Sequence, residues 1–340
     1  MIGILVAAIV AAVVTSLLTP AVRRWSEKAG AVDQPGARRV NTSPMPRAGG
    51  IAIFIGFLAA VVLTVTYRQF EIPGQHAWTM QVVGVLIAAT FIAIVGLIDD
   101  FKDLAARWQA LAIIAAGIIL LLFGVRIEGI TNPLGGFVGT NYNPILNWHA
   151  LGTITSWIIT LVWVFTVTKT VDAIDGVDGL AAGVCAIAAA TLALVAAQLK
   201  AKGVPGPTLA LMAAAVTGAC LGFLRHNYHP AKIIMGTIGA QVLGLVLAAI
   251  SIMGAFKVTA AVSVLVPVLV LGVPIFDYIH VLTRRLLARA PLTVADKRHL
   301  HHRLLSRGWN QKQVVWFIYS VAIAFCITAF ALFRAGRIGR

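Results

Sequence analysis

The sequence predicts an all-α, polytopic integral membrane helical bundle of about ten transmembrane helices, and three observations carry that prediction. Hydrophobic residues make up 59% of the 340 and charged residues only 11%, with a mean hydropathy of +0.91, far from the balance that keeps a soluble surface wet. Apolar runs of about one bilayer crossing recur along the chain. The 27 Lys and Arg gather mostly in the short connections between those runs.

In order, the runs fall at 2–20, 49–67, 79–98, 108–124, 155–173, 177–197, 207–224, 234–253, 258–282 and 313–333, each near the length a helix needs to cross hydrocarbon. The first begins at Met1 without a basic leader and has no small-residue cleavage site before Pro20, so it reads as a retained span. The second opens on Pro44-Met45-Pro46-Arg47-Ala48-Gly49-Gly50, where Pro fixes the approach and Gly-Gly permits close contact with backbone or ligand. The third breaks off at Gly96-Leu97-Ile98-Asp99-Asp100-Phe101-Lys102-Asp103-Leu104. Between the fourth and fifth, residues 126–150 with Asn132-Pro133-Leu134-Gly135-Gly136 carry turn chemistry suited to a hairpin or surface flap. The eighth follows a turn at Asn227-Tyr228-His229-Pro230, with Gly236 and Gly239 available for tight helix packing. No repeat or low-complexity stretch divides the chain, so residues 1–340 read as one domain.

The net charge of +15 is what orientation by the positive-inside rule produces, and it suits anionic lipid headgroups and a phosphorylated substrate better than nucleic acid. Loops around Arg23 to Arg47, Lys102 and Arg107, Arg225 and Lys232, and Arg284 to Lys312 are richer in base than the alternate set holding Arg68, Arg126, Lys200, Lys202 and Lys257. The first set therefore faces the cytoplasm and both termini face outside, although the basic tail Arg334, Arg337 and Arg340 opposes that end. Cys185, Cys220 and Cys326 lie in apolar runs without metal-like spacing and read as small core residues.

Ionisable groups at a membrane border are costly and mark partners, metals or charged substrates. Asp99, Asp100 and Asp103 fall within five residues, for which a water-facing loop with ordinary helix-capping acids is the alternative reading. Lys169, Asp172, Asp175 and Asp178 follow at three-residue steps, which on a helix share roughly one face, and two Asp-Gly pairs let the backbone turn there; the alternative is a capped helix end with Lys169 paired to Asp172. Asp296-Lys297-Arg298-His299-Leu300-His301-His302-Arg303 suits charge-assisted binding of pyrophosphate. A zinc site and a solvated topogenic loop are its rivals. By the charge count, all three clusters reach the cytoplasmic side.

Read together and in order, residues 44–50, 96–104, 175–179, 229–236 and 299–303 resemble the polyprenyl-phosphate N-acetylhexosamine-1-phosphate transferases, and His299-x-His301-His302-Arg303 resembles their bacterial UDP-N-acetylhexosamine branch. That resemblance spans nearly the whole chain. It implies a bacterial plasma-membrane enzyme with a cytoplasmic active-site cleft, in which undecaprenyl phosphate attacks a UDP-sugar, most simply UDP-N-acetylglucosamine, releases UMP and starts a lipid-linked envelope glycan. It implies Asp99, Asp100 and Asp175 as catalytic residues and Arg47, Lys169, Asp178, Asn227, His301, His302 and Arg303 as substrate-binding residues. Asp172 and Thr237 are implied as ligands of Mg2+ or Mn2+; membrane lipids are partners and a homodimer is left open.

Four positions depart from the family pattern. Its Asn-x-x-Asn-x-x-Asp-Gly reads Lys169, Asp172 and Asp175 here, its Met-Gly-Asp reads Met235-Gly236-Thr237, and its Lys nine residues after Asp100 is Gln109. An acid lost at 237 is regained at 172 and a base lost at 109 is regained at 169, so formal charge is unchanged and relocation within one site is one explanation. A degenerate relative that binds lipid phosphate or a partner without turnover is the other. A secondary transporter is a third class, but no paired broken helices in corresponding halves support it.

Overall fold

The computed structural model describes residues 2–34, 44–71, 77–131, 148–150, 152–199, 206–255, 268–287 and 299–338. Its helices are α1 (Ile2–Ala29), α2 (Gly50–Glu71), α3 (Met80–Lys102), α4 (Ala106–Leu122), α5 (Thr153–Ile174), α6 (Leu180–Ala197), α7 (Gly206–Asn227), α8 (Gly236–Ala255), α9 (Gly272–Leu287), α10 (Leu300–Leu305) and α11 (Gln311–Ile338). Sheet among the described residues is confined to two antiparallel hairpins, β1 (Val32–Asp33) with β2 (Met45–Pro46) and β3 (Gly129–Thr131) with β4 (Trp148–Ala150). The second is the hairpin expected in the 126–150 loop; its tip, with Asn132 to Gly136, lies outside the described residues.

Among the described residues eight helices, α1, α2, α3, α5, α6, α7, α8 and α11, are long and apolar enough to cross a membrane, and the chain is a multi-pass membrane protein. The fourth expected span is α4, which is apolar but only 17 residues long. The ninth, at 258–282, falls partly outside the described residues; α9 covers its end and runs on through Arg284 and Arg285. Helix ends also outrun the apolar runs. α1 continues to Ala29 because hydropathy reports lipid contact, not backbone hydrogen bonding, and its polar last turns are held by an Arg23–Glu27 pair at 2.9 Å.

α8 is the axis of the bundle, with 89% of its apolar window buried inside the protein and contacts to α2, α3, α4, α5, α6 and α7. Small residues set these approaches. A Cβ on Gly244 would lie 2.6 Å from Thr168 Cα, one on Gly96 would lie 2.6 Å from Ile238 Cα, and Gly239 faces Gly50. Gly218 and Gly222 of α7 rest in the same way on the backbone of Ala8 and Ala12 in α1. Cys185, Cys220 and Cys326 are free and buried, as expected of core residues. The packing brings the C-terminal ends of α3, α5 and α7 to the N-terminal ends of α2, α6 and α8, so the polar helix ends collect at one end of an apolar bundle.

Candidate active site

The start of α8 organises this end of the bundle. Gly236 holds φ +70°, a left-handed conformation natural to glycine, and turns the chain so that the first α8 amides point at Asp100. Thr237 N–H donates to Asp100 Oδ1 at 2.9 Å and Ile238 N–H to Oδ2 at 3.5 Å. A carboxylate only 2% exposed is thereby matched by the orphan donors and positive end of a helix. The strap 44–50 closes over this contact. Ile234 N–H donates to Pro46 O, and the Gly49 and Gly50 amides donate to Ile234 O and Met235 O, so the close approach that Gly-Gly permits is to backbone.

Arg47 lies at the other end of the same residue pair. Its Nε donates to Asp100 O at 2.6 Å and its Nη2 to Asp99 O at 3.4 Å, a cation on the carbonyl end of α3. Its Nη1 also meets Asp103 Oδ1 at 2.8 Å and Asp33 Oδ1 at 3.6 Å. Asp99, though next to Asp100, points away: its Oδ1 accepts from Leu104 N–H at 2.8 Å and from Gln109 Nε2 at 3.0 Å. Gln109 Oε1 in turn accepts from Lys169 Nζ at 2.9 Å, and the same ammonium reaches Asp172 Oδ2 at 2.8 Å. The two departures at 109 and 169 are therefore in direct contact.

Three-residue spacing keeps Lys169 and Asp172 on one face of α5, but the helix ends at Ile174 and a turn places the later acids. Asp178 Oδ2 accepts from Ala231 N–H at 3.1 Å and faces His229 Nδ1 at 2.8 Å. Asn227 is a strut: its Oδ1 takes the Gly179 amide at 3.0 Å and its Nδ2 donates to Ile233 O at 2.9 Å, while Tyr319 donates to Gly179 O at 2.6 Å. Asp175, between them, receives no side-chain hydrogen bond among the described residues. Burial, then the charges of Asp172, Asp100 and Asp178, push its carboxyl up to about 8, so it holds a proton near neutrality until positive charge arrives.

α10 supplies the imidazoles. Asp277 of α9, itself buried, accepts from Leu300 N–H at 2.7 Å and meets His299 Nδ1 at 2.9 Å. His301 stacks parallel to His299 at 5.8 Å, tilts against His302 at 4.3 Å and fits beside Gly176, where a Cβ would sit 2.8 Å from its Nε2. Burial, then the charges of His302 and His299, lower His301 to about 3, so the ring is neutral near pH 7. Arg303 Nη1 lies 3.3 Å from His280 Nε2. Asp296, Lys297 and Arg298 lie outside the described residues.

Of the residues singled out from sequence, Arg47, Asp100, Asp172, Asp175, Asp178, Asn227, Thr237 and His302 line one cavity of about 280 Å3. Asp99, Lys169, His301 and Arg303 stand outside its lining. Asp33, Asp277 and Tyr319 were missed, and His229 was placed in a turn and a motif without a role. Asp277 carried a usable signal, as an acid inside an expected span; the others are placed by contacts between distant segments. Among the described residues no three Asp, Glu, His or Cys side chains converge as a metal site. The donors that do face the cavity, carboxylates of Asp172 and Asp175 and the Thr237 hydroxyl, are hard oxygens suited to Mg2+ or Mn2+.

Fold and cavity together describe an integral membrane protein with a charged cavity at one end of its bundle, and comparison with known proteins places it among transferases. Residues 82–255 match the model of Glycosyl transferase family 4. The chain is 34% identical to the probable undecaprenyl-phosphate N-acetylglucosaminyl 1-phosphate transferase of Bacillus subtilis (strain 168) over 98% of its own length and 86% of the relative's. It is 35% identical to the decaprenyl-phosphate N-acetylglucosaminephosphotransferase of Mycobacterium tuberculosis (strain CDC 1551 / Oshkosh), over 91% of this chain and 77% of the relative. It is 30% identical to the phospho-N-acetylmuramoyl-pentapeptide-transferase of Caldicellulosiruptor bescii, over 86% of this chain and 84% of the relative. The chain belongs to glycosyl transferase family 4.

Proposed function

We propose that the protein transfers N-acetylglucosamine 1-phosphate from UDP-N-acetylglucosamine to a polyprenyl phosphate, undecaprenyl phosphate in the first instance, at the cytoplasmic face of a bacterial plasma membrane. An oxygen of the lipid phosphate forms a bond to the donor's β-phosphorus. The bond from that phosphorus to the bridging oxygen breaks, UMP leaves with the electron pair, and a polyprenyl-diphosphate sugar remains in the membrane. This is the chemistry of a step that starts a lipid-linked glycan.

The observation that carries the reading is the cavity itself, where Asp100, Asp172, Asp175, Asp178, Arg47 and His302 meet at the end of a bundle otherwise built of apolar helices. Such a concentration of charge beside hydrocarbon fits a reaction between a water-soluble diphosphate and a lipid phosphate. Asp100 is placed to take a proton from the lipid phosphate, and Asp175 can do so only once positive charge in the cavity has displaced the proton it already holds. His302, which lines the cavity, offers a donor to phosphate oxygens. A divalent cation held by Asp172 and Thr237 would supply neutralisation of diphosphate charge. The names of the relatives support a working site over a degenerate one, and Lys169 meets both Gln109 and Asp172, contacts that fit either explanation of the four departures.

The test is UMP release by purified protein. It is expected with UDP-N-acetylglucosamine only when polyprenyl phosphate and Mg2+ or Mn2+ are both supplied. Binding of both substrates with no release under any divalent cation contradicts the reading.

A further inference from the structure

A lysine in an apolar span is costly unless its charge is matched. Lys169 is matched twice, by Asp172 Oδ2 at 2.8 Å and Gln109 Oε1 at 2.9 Å. Gln109 presents its amide nitrogen to Asp99 Oδ1 at 3.0 Å, and that oxygen is fixed by the Leu104 amide at 2.8 Å. A carboxylate at one end of the glutamine and an ammonium at the other dictate which way the amide lies. The polar chain Asp99, Gln109, Lys169, Asp172 thus crosses from the end of α3 through α4 to α5, and only its last member reaches the cavity.

We propose that Lys169 is a positioning residue, the resident counter-charge of Asp172 held in place by Gln109 and Asp99, and that it does not grip the donor diphosphate. The proposal rests on the transferase reading and deepens it: the wall of the site carries its own cation, so the direction and charge of Asp172 are set before substrate arrives. Members of a hydrogen-bonded chain strengthen one another. Loss of Gln109 must therefore be felt at Asp172, two bonds away, and removing Lys169 must leave a partly buried carboxylate without its partner.

The experiment compares Lys169→Met, Gln109→Leu, their double variant and Lys169→Arg in the full-length protein. It measures kcat, KM for UDP-N-acetylglucosamine, and binding of Mn2+ alone by electron paramagnetic resonance. Each single loss is expected to lower kcat about tenfold or more with KM moved less than about threefold, and the double variant to be no worse than Lys169→Met, because the residues act as one unit. Lys169→Arg keeps the charge and is expected to recover most of the rate. Mn2+ is expected to bind Lys169→Met roughly tenfold more tightly, with Asp172 released from its ammonium. A rise in KM of about tenfold at unchanged kcat in Lys169→Met, with Gln109→Leu silent, overturns the proposal. If the wild-type chain releases no UMP, the transferase reading fails separately, and Mn2+ affinity still decides the bridge: no change in either single variant overturns it.

Discussion

Asp99 and Asp100 are neighbours in sequence and different in circumstance. Asp100 lines the cavity and caps α8, whereas Asp99 anchors Gln109 and the chain after α3. Asp100→Asn keeps an acceptor for the Thr237 amide but loses the charge, so UMP release is expected to fall about a hundredfold or more with little change in melting temperature. His302→Ala removes a donor facing the same cavity and is expected to cost a similar factor. Wild-type rates in both variants would empty the proposed site. His301 gives a prediction about stability. Its ring stays neutral down to about pH 3 in the fold but takes a proton below about 6.5 once unfolded, so the unfolded state binds more protons between those values. Its contribution is complete above pH 6.5 and is lost as pH falls toward 3. Melting temperature should drop through that window, and less steeply in His301→Gln; parallel curves would contradict the assignment.

At the scale of elements, the turn at Gly236 joins helix, strap and carboxylate. A Cβ there would lie 2.5 and 2.7 Å from the two Asp100 oxygens, collide with Arg47 O, and occupy a left-handed backbone. Gly236→Ala is expected to cost about 2 kcal/mol or more in stability from backbone handedness and displaced contacts. Differential scanning fluorimetry, with UMP release alongside, reads both effects; an unchanged melting temperature would show that Asp100 and α8 are not joined in this way. Much of this layer was legible in the chain. Of the ten apolar runs, eight coincide with helices long and apolar enough to cross a membrane among the described residues, because lipid contact is written directly in composition, and the motif around Met235-Gly236-Thr237 marked the start of α8. Helix ends were not legible, since polar turns such as the end of α1 remain helical in water. Nor was the fate of Asp178: helical spacing stops at Ile174, and its partner His229 arrives from another segment. The same holds for Asp99, whose separation from Asp100 depends on Gln109 in the next helix.

The whole molecule is an apolar bundle polarised toward one end. Helices α3, α5 and α7 deliver acids and an amide there, α8 delivers amide donors, and the strap and α10 deliver Arg47 and His302. A second, larger cavity of about 930 Å3 lies among the opposite helix ends, lined by Ile4, Tyr67 and Leu211 and mostly apolar. The two cavities set a sharp alternative for where a nucleotide sugar binds. The measurement that bears most directly on the account is a structure determined with UDP-N-acetylglucosamine and Mn2+, with the metal located by its anomalous signal. The account predicts the diphosphate and the metal in the smaller cavity, between Asp100, Asp172, Asp175 and His302. A donor seated among the opposite helix ends, or a diphosphate out of reach of all four, would contradict it.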